Sequence, residues 1–360
     1  MVMKPLHAAA VPALVVIVAG TLFQAEAERR GKLATQLERL SSCLVDQVDA
    51  RAVAKDIHAL VVKELRPEDK AIATSYLFDP DTGVIAFLRK TLNQKNFDEA
   101  KVSVLELVAD VLTKPHVNTL PEVVLEVKKI CERIFASKES SKVKVASFLP
   151  LFVIVDRKVV QLDDKVEVDK LFRTYIKGYR EQVTSLSSSV KANIFELLGL
   201  IARNYPLKVK DGSAELLRYY MSALRDLFAV RGKDPDLPFV AGALNGLNHL
   251  LFTGHKFDQK DLELIYKTIR HVVKPTDELS RYNVPRAGLQ LMIDHPDRFR
   301  AEFAADYLAI YTSLRAVCTH KNRDLAKLGV RAIEGFLREV AASLVSMGDD
   351  APPSAEQCFL

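Results

Sequence analysis

The chain lacks tryptophan altogether and is sparing with glycine, proline and cysteine. The four cysteines, Cys43, Cys131, Cys318 and Cys358, stand far apart with no Cys-x-x-Cys pair. That excludes a disulfide framework and suits a reduced compartment, where a lone cysteine serves as a small apolar core residue. Cys358 lies one place too close to the end for a prenylated C-a-a-X box, so no lipid anchor is implied. Neither sign of charge dominates: 51 Lys and Arg against 46 Asp and Glu leave a net +5. Such an excess is compatible with nucleic acid or an acidic partner and requires neither.

Catalytic signatures are missing as well. There is no Gly-x-x-x-x-Gly-Lys loop, dinucleotide fingerprint, Gly-x-Ser-x-Gly elbow or His-Glu-x-x-His pair. A kinase Gly-rich loop, its His-Arg-Asp segment and Asp-Phe-Gly are absent too. His249 and His255, six apart, fall on different helix faces with no ligand-spaced partner, and read as structural. The expectation is a chain with no active site, no metal, no cofactor and no small-molecule substrate.

What the chain has is helical periodicity. Val190, Ile194, Leu197, Leu198 and Ile201 share one helix face; so do Val240, Ala243, Leu244, Leu247 and Leu251, and again Leu325, Leu328, Ala332, Ile333, Phe336, Leu337 and Val340. Only Lys158 to Val168 shows β-branched alternation, and it reads as a loop entering the helix that carries Leu171 and Phe172. Short breaks such as SLSSS (Ser185 to Ser189), RGKDPDLP (Arg231 to Pro238) and THKNRD (Thr319 to Asp324) supply the residues that end one helix and cap the next.

Similar helices recur at Ser141, Ser189, Leu237, Val284 and Asp324, roughly 40 to 50 residues apart, the period of HEAT or armadillo pairs. Each has a small residue (Ala146, Ala192, Gly242 or Ala243, Ala287, Ala332) before a leucine-rich turn, where a neighbour can approach closely. A single hairpin cannot bury both its faces, so stacking completes the core. The predicted fold is all-α, an α-solenoid of HEAT/armadillo-like helical hairpins, with a compact helical bundle as the alternative.

The N-terminus pulls another way. Lys4, the apolar run to Phe23 and the small pair Ala25 and Ala27 have the form of a secretory signal. A membrane span needs roughly 20 apolar residues, and this run is shorter, with Pro12 near its beginning. The competing reading of Val11 to Phe23 is a buried capping helix or a misplaced start. Two further motifs read as structure: His295-Pro296-Asp297, the tripeptide of J-domain cochaperones, as a turn, and Gly242-x-x-x-Gly246 as close helix packing.

Five segments, taken in order, carry a resemblance: TGVIAFLRKTLNQKNFDEAK (Thr82 to Lys101), ELLGLIARNYP (Glu196 to Pro206), DLPFVAGALNGLNHLLF (Asp236 to Phe252), RYNVPRAGLQLMIDH (Arg281 to His295) and DYLAIYTSLRAVCTHKNRDLAKLGVRAIEGFLREV (Asp306 to Val340). From about Tyr76 to Leu344 the chain resembles the N-terminal helical-repeat arm of the DNA-dependent protein kinase catalytic subunit family. The resemblance implies a non-catalytic scaffold, since that family's kinase domain lies far C-terminal. It implies as partners the Ku heterodimer, double-stranded DNA ends and further repeats of a larger kinase chain, in non-homologous end joining. It also implies a nuclear location, which lowers the secretory reading, and membrane association is not expected. A generic protein adaptor and a secreted helical protein are the alternatives.

The resulting division is an apolar segment over residues 1–32, repeats over 33–346 and a disordered polar tail over 347–360. If nucleic acid is bound, it is the backbone that is held, because no aromatics interleave the basic clusters. The candidate DNA contacts are Arg89 and Lys90, with Lys142, Lys144 and Lys191 opening two successive repeat helices; register across the stack would align these into a basic ridge.

Overall fold

The computed structural model describes residues 27–28, 31–40, 50–61, 77–79, 81–113, 121–156, 165–206, 209–229, 235–274 and 283–347. The apolar run Val11 to Phe23, most of the Lys158 to Val168 segment and the tail beyond Met347 lie outside them. Every regular element among the described residues is helical, which makes the fold all-α. The chain forms two compact units, Met1–Gln161 and Leu162–Leu360.

In the first unit, beyond a helical stretch at 31–40, the helices are α1 (Ala50–Ala59), α2 (Val84–Lys90), α3 (Asp98–Leu112), α4 (Pro121–Ala136) and α5 (Ser141–Asp156). They form two rows: α1, α3 and α5 pack side by side, with α4 against α5 and α2 against α4. Helices α3 and α5 start 43 residues apart, one repeat. The buried series of α3 includes Val104, Leu107, Val108, Val111 and Leu112, at the three- and four-residue spacing that puts one stripe toward a neighbour.

The second unit comprises α6 (Lys165–Gln182), α7 (Ser188–Asn204), α8 (Lys210–Phe228), α9 (Leu237–Leu251), α10 (Gln259–Val272), α11 (Val284–Asp294), α12 (Arg300–Ala305), α13 (Tyr307–Cys318) and α14 (Arg323–Met347). Helices α7, α9, α11 and α14 stack in order as one layer. Each packs on the helix before it in its hairpin: α6 on α7, α8 on α9, α10 on α11 and α13 on α14. Successive starts in that layer are 49, 47 and 39 residues apart. This is the HEAT/armadillo arrangement that the sequence period anticipates.

Local chemistry sets the ends. Asp236 caps α9 by accepting from the Phe239 N–H at 3.2 Å, and Pro238 occupies its first turn, where its missing N–H leaves no bond unmade. Asp258 does the same for α10 through Asp261 N–H, at 2.7 Å. Of the small residues expected before the leucine-rich turns, Ala146, Ala243, Ala287 and Ala332 are each at most 5% exposed, while Ala192 is half-buried. At the α7–α9 crossing the side chains vanish altogether. A Cβ on Gly242 would stand 2.4 Å from Ala192 Cα, and one on Gly199 would stand 2.6 Å from the Gly246 carbonyl oxygen. The Gly242-x-x-x-Gly246 pattern is therefore a close-packing device, and no helix among the described residues is long and apolar enough to cross a membrane.

Adjacent repeats are also stitched by polar side chains about one period apart. Ser188 Oγ donates to Asp236 at 2.6 Å, Asn245 to Glu196 at 3.0 Å, and Asn248 to Asp294 at 2.8 Å. Burial holds the Glu196 carboxyl above the ordinary glutamate range, opposed by the Asn245 hydrogen bond and by Arg286.

Candidate nucleic-acid interface

The five predicted contact residues sit at helix ends. Arg89 and Lys90 close α2, Lys142 and Lys144 open α5, and Lys191 opens α7. Cations at a C-terminus such as that of α2 are favoured by the helix dipole; at the start of α5 they are not, so tertiary partners must hold them there.

Such partners are present. The Arg89 guanidinium pairs with Glu126 of α4, whose other oxygen takes Lys129 at 2.8 Å. Lys90 Nζ donates to the Asp81 carbonyl at 3.3 Å. Lys142, three-quarters exposed, bonds Glu99 of α3 at 3.0 Å, and Arg51 lies 3.5 Å from the same carboxylate. The Lys142 hydrogen bond, aided by the charges of Lys142 and Arg51, holds the Glu99 carboxyl below its usual range.

Lys144, two residues on, is turned roughly 200° around the helix axis from Lys142. It lies 5.9 Å over the Phe135 ring of α4, and burial lowers its pKa. In the second unit Lys191 stands 6.0 Å over the Phe239 ring of α9. Both are cation–π contacts at the outer limit of their range. These rings come from a different helix in each case, so no local interleaving of aromatics announces them. Phe135 is only 2% exposed and is no platform for a base.

Geometry therefore gives each of the five a partner of its own, and none shares an ion-pair partner with another. Lys142 and Lys144 face different neighbours, α3 and α4.

The remaining sequence candidates take structural places. His295 is 5% exposed, bonds the Asn248 carbonyl at 3.0 Å through Nε2 and lies 4.3 Å from the Phe252 ring. Burial lowers its pKa, and Pro296–Phe299 form a 3-10 turn, as the turn reading of His295-Pro296-Asp297 requires. His249 receives the Arg203 guanidinium at 3.5 Å, while the His255 ring meets Phe257 edge-on. Cys131 is fully buried, which pushes its thiol far up and keeps it unreactive. Among the described residues no group of three or more His, Cys, Asp or Glu side chains could hold a metal ion. An open depression of about 460 Å³ on α6 is lined by Asp169, Lys170, Arg173, Thr174 and Lys177, one charged helix face.

One basic face forms no cluster in the linear sequence. On α14, Arg323, Lys327, Arg331 and Arg338 are all exposed and lie on one arc, opposite the buried Leu325, Ala332, Phe336 and Val340. No carboxylate among the described residues pairs with any of the four. Their signal is a four- and seven-residue spacing, hidden because intervening residues keep the linear run mixed.

A family model described as "DNA-PKcs, N-terminal" matches residues 71–354. Curated relatives named DNA-dependent protein kinase catalytic subunit include one from Canis lupus familiaris, 27% identical over 279 residues and 76% of this chain. One from Xenopus laevis is 26% identical over 281 residues, again 76% of the chain. One from Dictyostelium discoideum is 24% identical over 310 residues, 82% of the chain. The chain spans about 7% of the length of each of these relatives.

Proposed function

Because the chain belongs to the DNA-PKcs N-terminal family, we propose that it is a non-catalytic helical-repeat scaffold that helps hold double-stranded DNA ends together with the Ku heterodimer, in the nucleus, during non-homologous end joining. The observation that carries this reading is the match over residues 71–354, to the family's N-terminal region and not to its kinase domain. The relatives' shared name makes their kinase DNA-dependent, and the cations Arg89, Lys90, Lys142 and Lys144 of the first unit and Lys191 of the second are each chemically suited to a phosphate. Their affinity would be independent of sequence and weakened by salt.

Lys142 is available, since its Glu99 contact is solvent-exposed and exchangeable for a phosphate. Lys144 and Lys191, half-buried with their ammonium groups over aromatic rings at the outer limit of a cation–π contact, would exchange that weak contact for a phosphate.

The test is retention of a blunt duplex by the full chain, with and without purified Ku, across a salt series. Substituting Lys142, Lys144 and Lys191 together by Gln should weaken retention and flatten the salt dependence by roughly one counterion for each phosphate no longer neutralised. A folded triple variant with an unchanged slope, and a chain that neither binds duplex nor co-purifies with Ku, would overturn the proposal. A protein-only adaptor would instead bind its partner with little response to ionic strength.

A further inference from the structure

The outward face of α14 goes beyond that reading. We infer that it is a docking surface for an acidic protein segment that also carries apolar side chains. Along the stripe of Arg323, Lys327, Arg331 and Arg338 the first and last cations stand fifteen positions apart on one helix, about 22 Å at the α-helical rise. All four are exposed and without an ion-pair partner among the described residues, whereas Arg89, Lys142, Arg270 and Arg300 each have a carboxylate. Glu334 is the acid within the arc, and Asp324 stands at its margin, so the face keeps a positive balance.

The same arc bears Val330, 49% exposed, and Val345, 84% exposed. Valines set among arginines decide the class of partner. A phosphate backbone gains nothing from an apolar side chain, while a protein segment alternating carboxylates with leucine or phenylalanine satisfies both kinds of group at once. Three of the four cations are arginines, whose planar fork pairs with carboxylates through two parallel hydrogen bonds. A second copy of this chain docked face to face would set the same positive stripe against itself. Stripe length and spacing fit a partner helix of about four turns with carboxylates at every fourth position.

The experiment uses the full chain and a fluorescent 20-residue helical peptide with Glu at every fourth position and Leu beside them. A companion peptide replaces each Leu by Ala, preserving charge and helicity. At about 150 mM salt the Leu peptide should bind at least ten-fold more tightly than the Ala peptide. Arg331→Glu with Arg338→Glu should weaken it ten-fold or more, and Val330→Ser about three-fold; since these side chains are exposed, the denaturation midpoint should not move. Equal binding of the two peptides, or indifference to Val330→Ser, would reduce the face to plain charge and overturn the proposal. So would a blunt duplex whose binding needs Arg331 and Arg338 while the peptide fails to bind. None of these outcomes touches the Lys142, Lys144 and Lys191 variant, so this inference and the scaffold reading fail separately.

Discussion

The join between α3 and α5 in the first unit and the join between α7 and α9 in the second do the same architectural work with opposite chemistry. At the first, Lys101 of α3 is wholly buried and pairs with the equally buried Glu139 from the α4–α5 turn. Its ammonium also meets Asp98 at 3.2 Å and the Gln94 carbonyl at 3.0 Å. Glu139 takes the N–H of Asn93, a residue at φ 64°, and the Asn93 side chain accepts from Lys138 N–H at 3.0 Å. The turns of consecutive hairpins are thus clasped by charge. At the second join, Gly199, Gly242 and Gly246 remove side chains so that two helices meet backbone to backbone, and Tyr220 seals the crossing by donating to the Phe195 carbonyl at 2.7 Å. A repeat fold constrains the distance between neighbours, not the means of bridging it.

The largest expected effect breaks the clasp. Glu139→Ala leaves Lys101 buried with only the more exposed Asp98 as a carboxylate partner, which should cost about 3 kcal/mol, the lower end for a broken buried pair, read as a shift in the urea midpoint. Replacing both partners by apolar residues, Lys101→Met with Glu139→Leu, should recover most of that stability. If the single variant cost under about 1 kcal/mol, the contrast between a charged join and a packed one would collapse.

Next comes the glycine crossing. Gly242→Val would drive its Cβ into the Ala192 backbone, which cannot rotate away as a side chain can, so destabilisation by about 3 kcal/mol is expected. Gly335→Ala sharpens the point from the opposite side. A Cβ there meets only Pro296, at 3.8 Å, an ordinary contact inside α14. This variant should stabilise the chain by about 0.5–1 kcal/mol, because alanine is the better helix former. Thermal or chemical unfolding of the two variants side by side tests whether glycine is structural at the crossing alone.

The smallest effect concerns pH at the same layer. Burial raises the Glu196 pKa in the folded chain, so the unfolded chain gives up its proton first as pH rises. Stability attached to this group is therefore complete below the ordinary glutamate range and declines as pH climbs from there through the raised value. Glu196→Gln, which keeps an acceptor for Asn245, should abolish that decline and leave the variant modestly more stable at neutral pH. Unfolding curves from pH 4 to 7 that stay parallel for the two proteins would contradict the assignment.

Much of the scaffold was legible because helix periodicity and capping are local. The recurring starts at Ser141, Leu237 and Val284 coincide with α5, α9 and α11, and Ser189 and Asp324 fall one residue inside α7 and α14. Close packing at Gly242 and Gly246 could be read from spacing, since four residues return a helix to the same face. The opposed orientations of Lys142 and Lys144 were less accessible. Their helix was known, but which neighbour each met depended on where α3 and α4 ran.

Sequence alone determined that this chain is a stack of helical hairpins and that it resembles the DNA-PKcs arm. Both follow from patterns carried within single helices, or from the order of such segments. Tertiary structure alone decided which charges are occupied. Glu126 reaches Arg89 from 37 residues away, Glu139 reaches Lys101 from 38, and Phe239 lies beneath Lys191. Pairing is a property of two surfaces meeting, and no single helix contains the partner. That is why the exposed cations of α14 looked no different in the linear sequence from those already held.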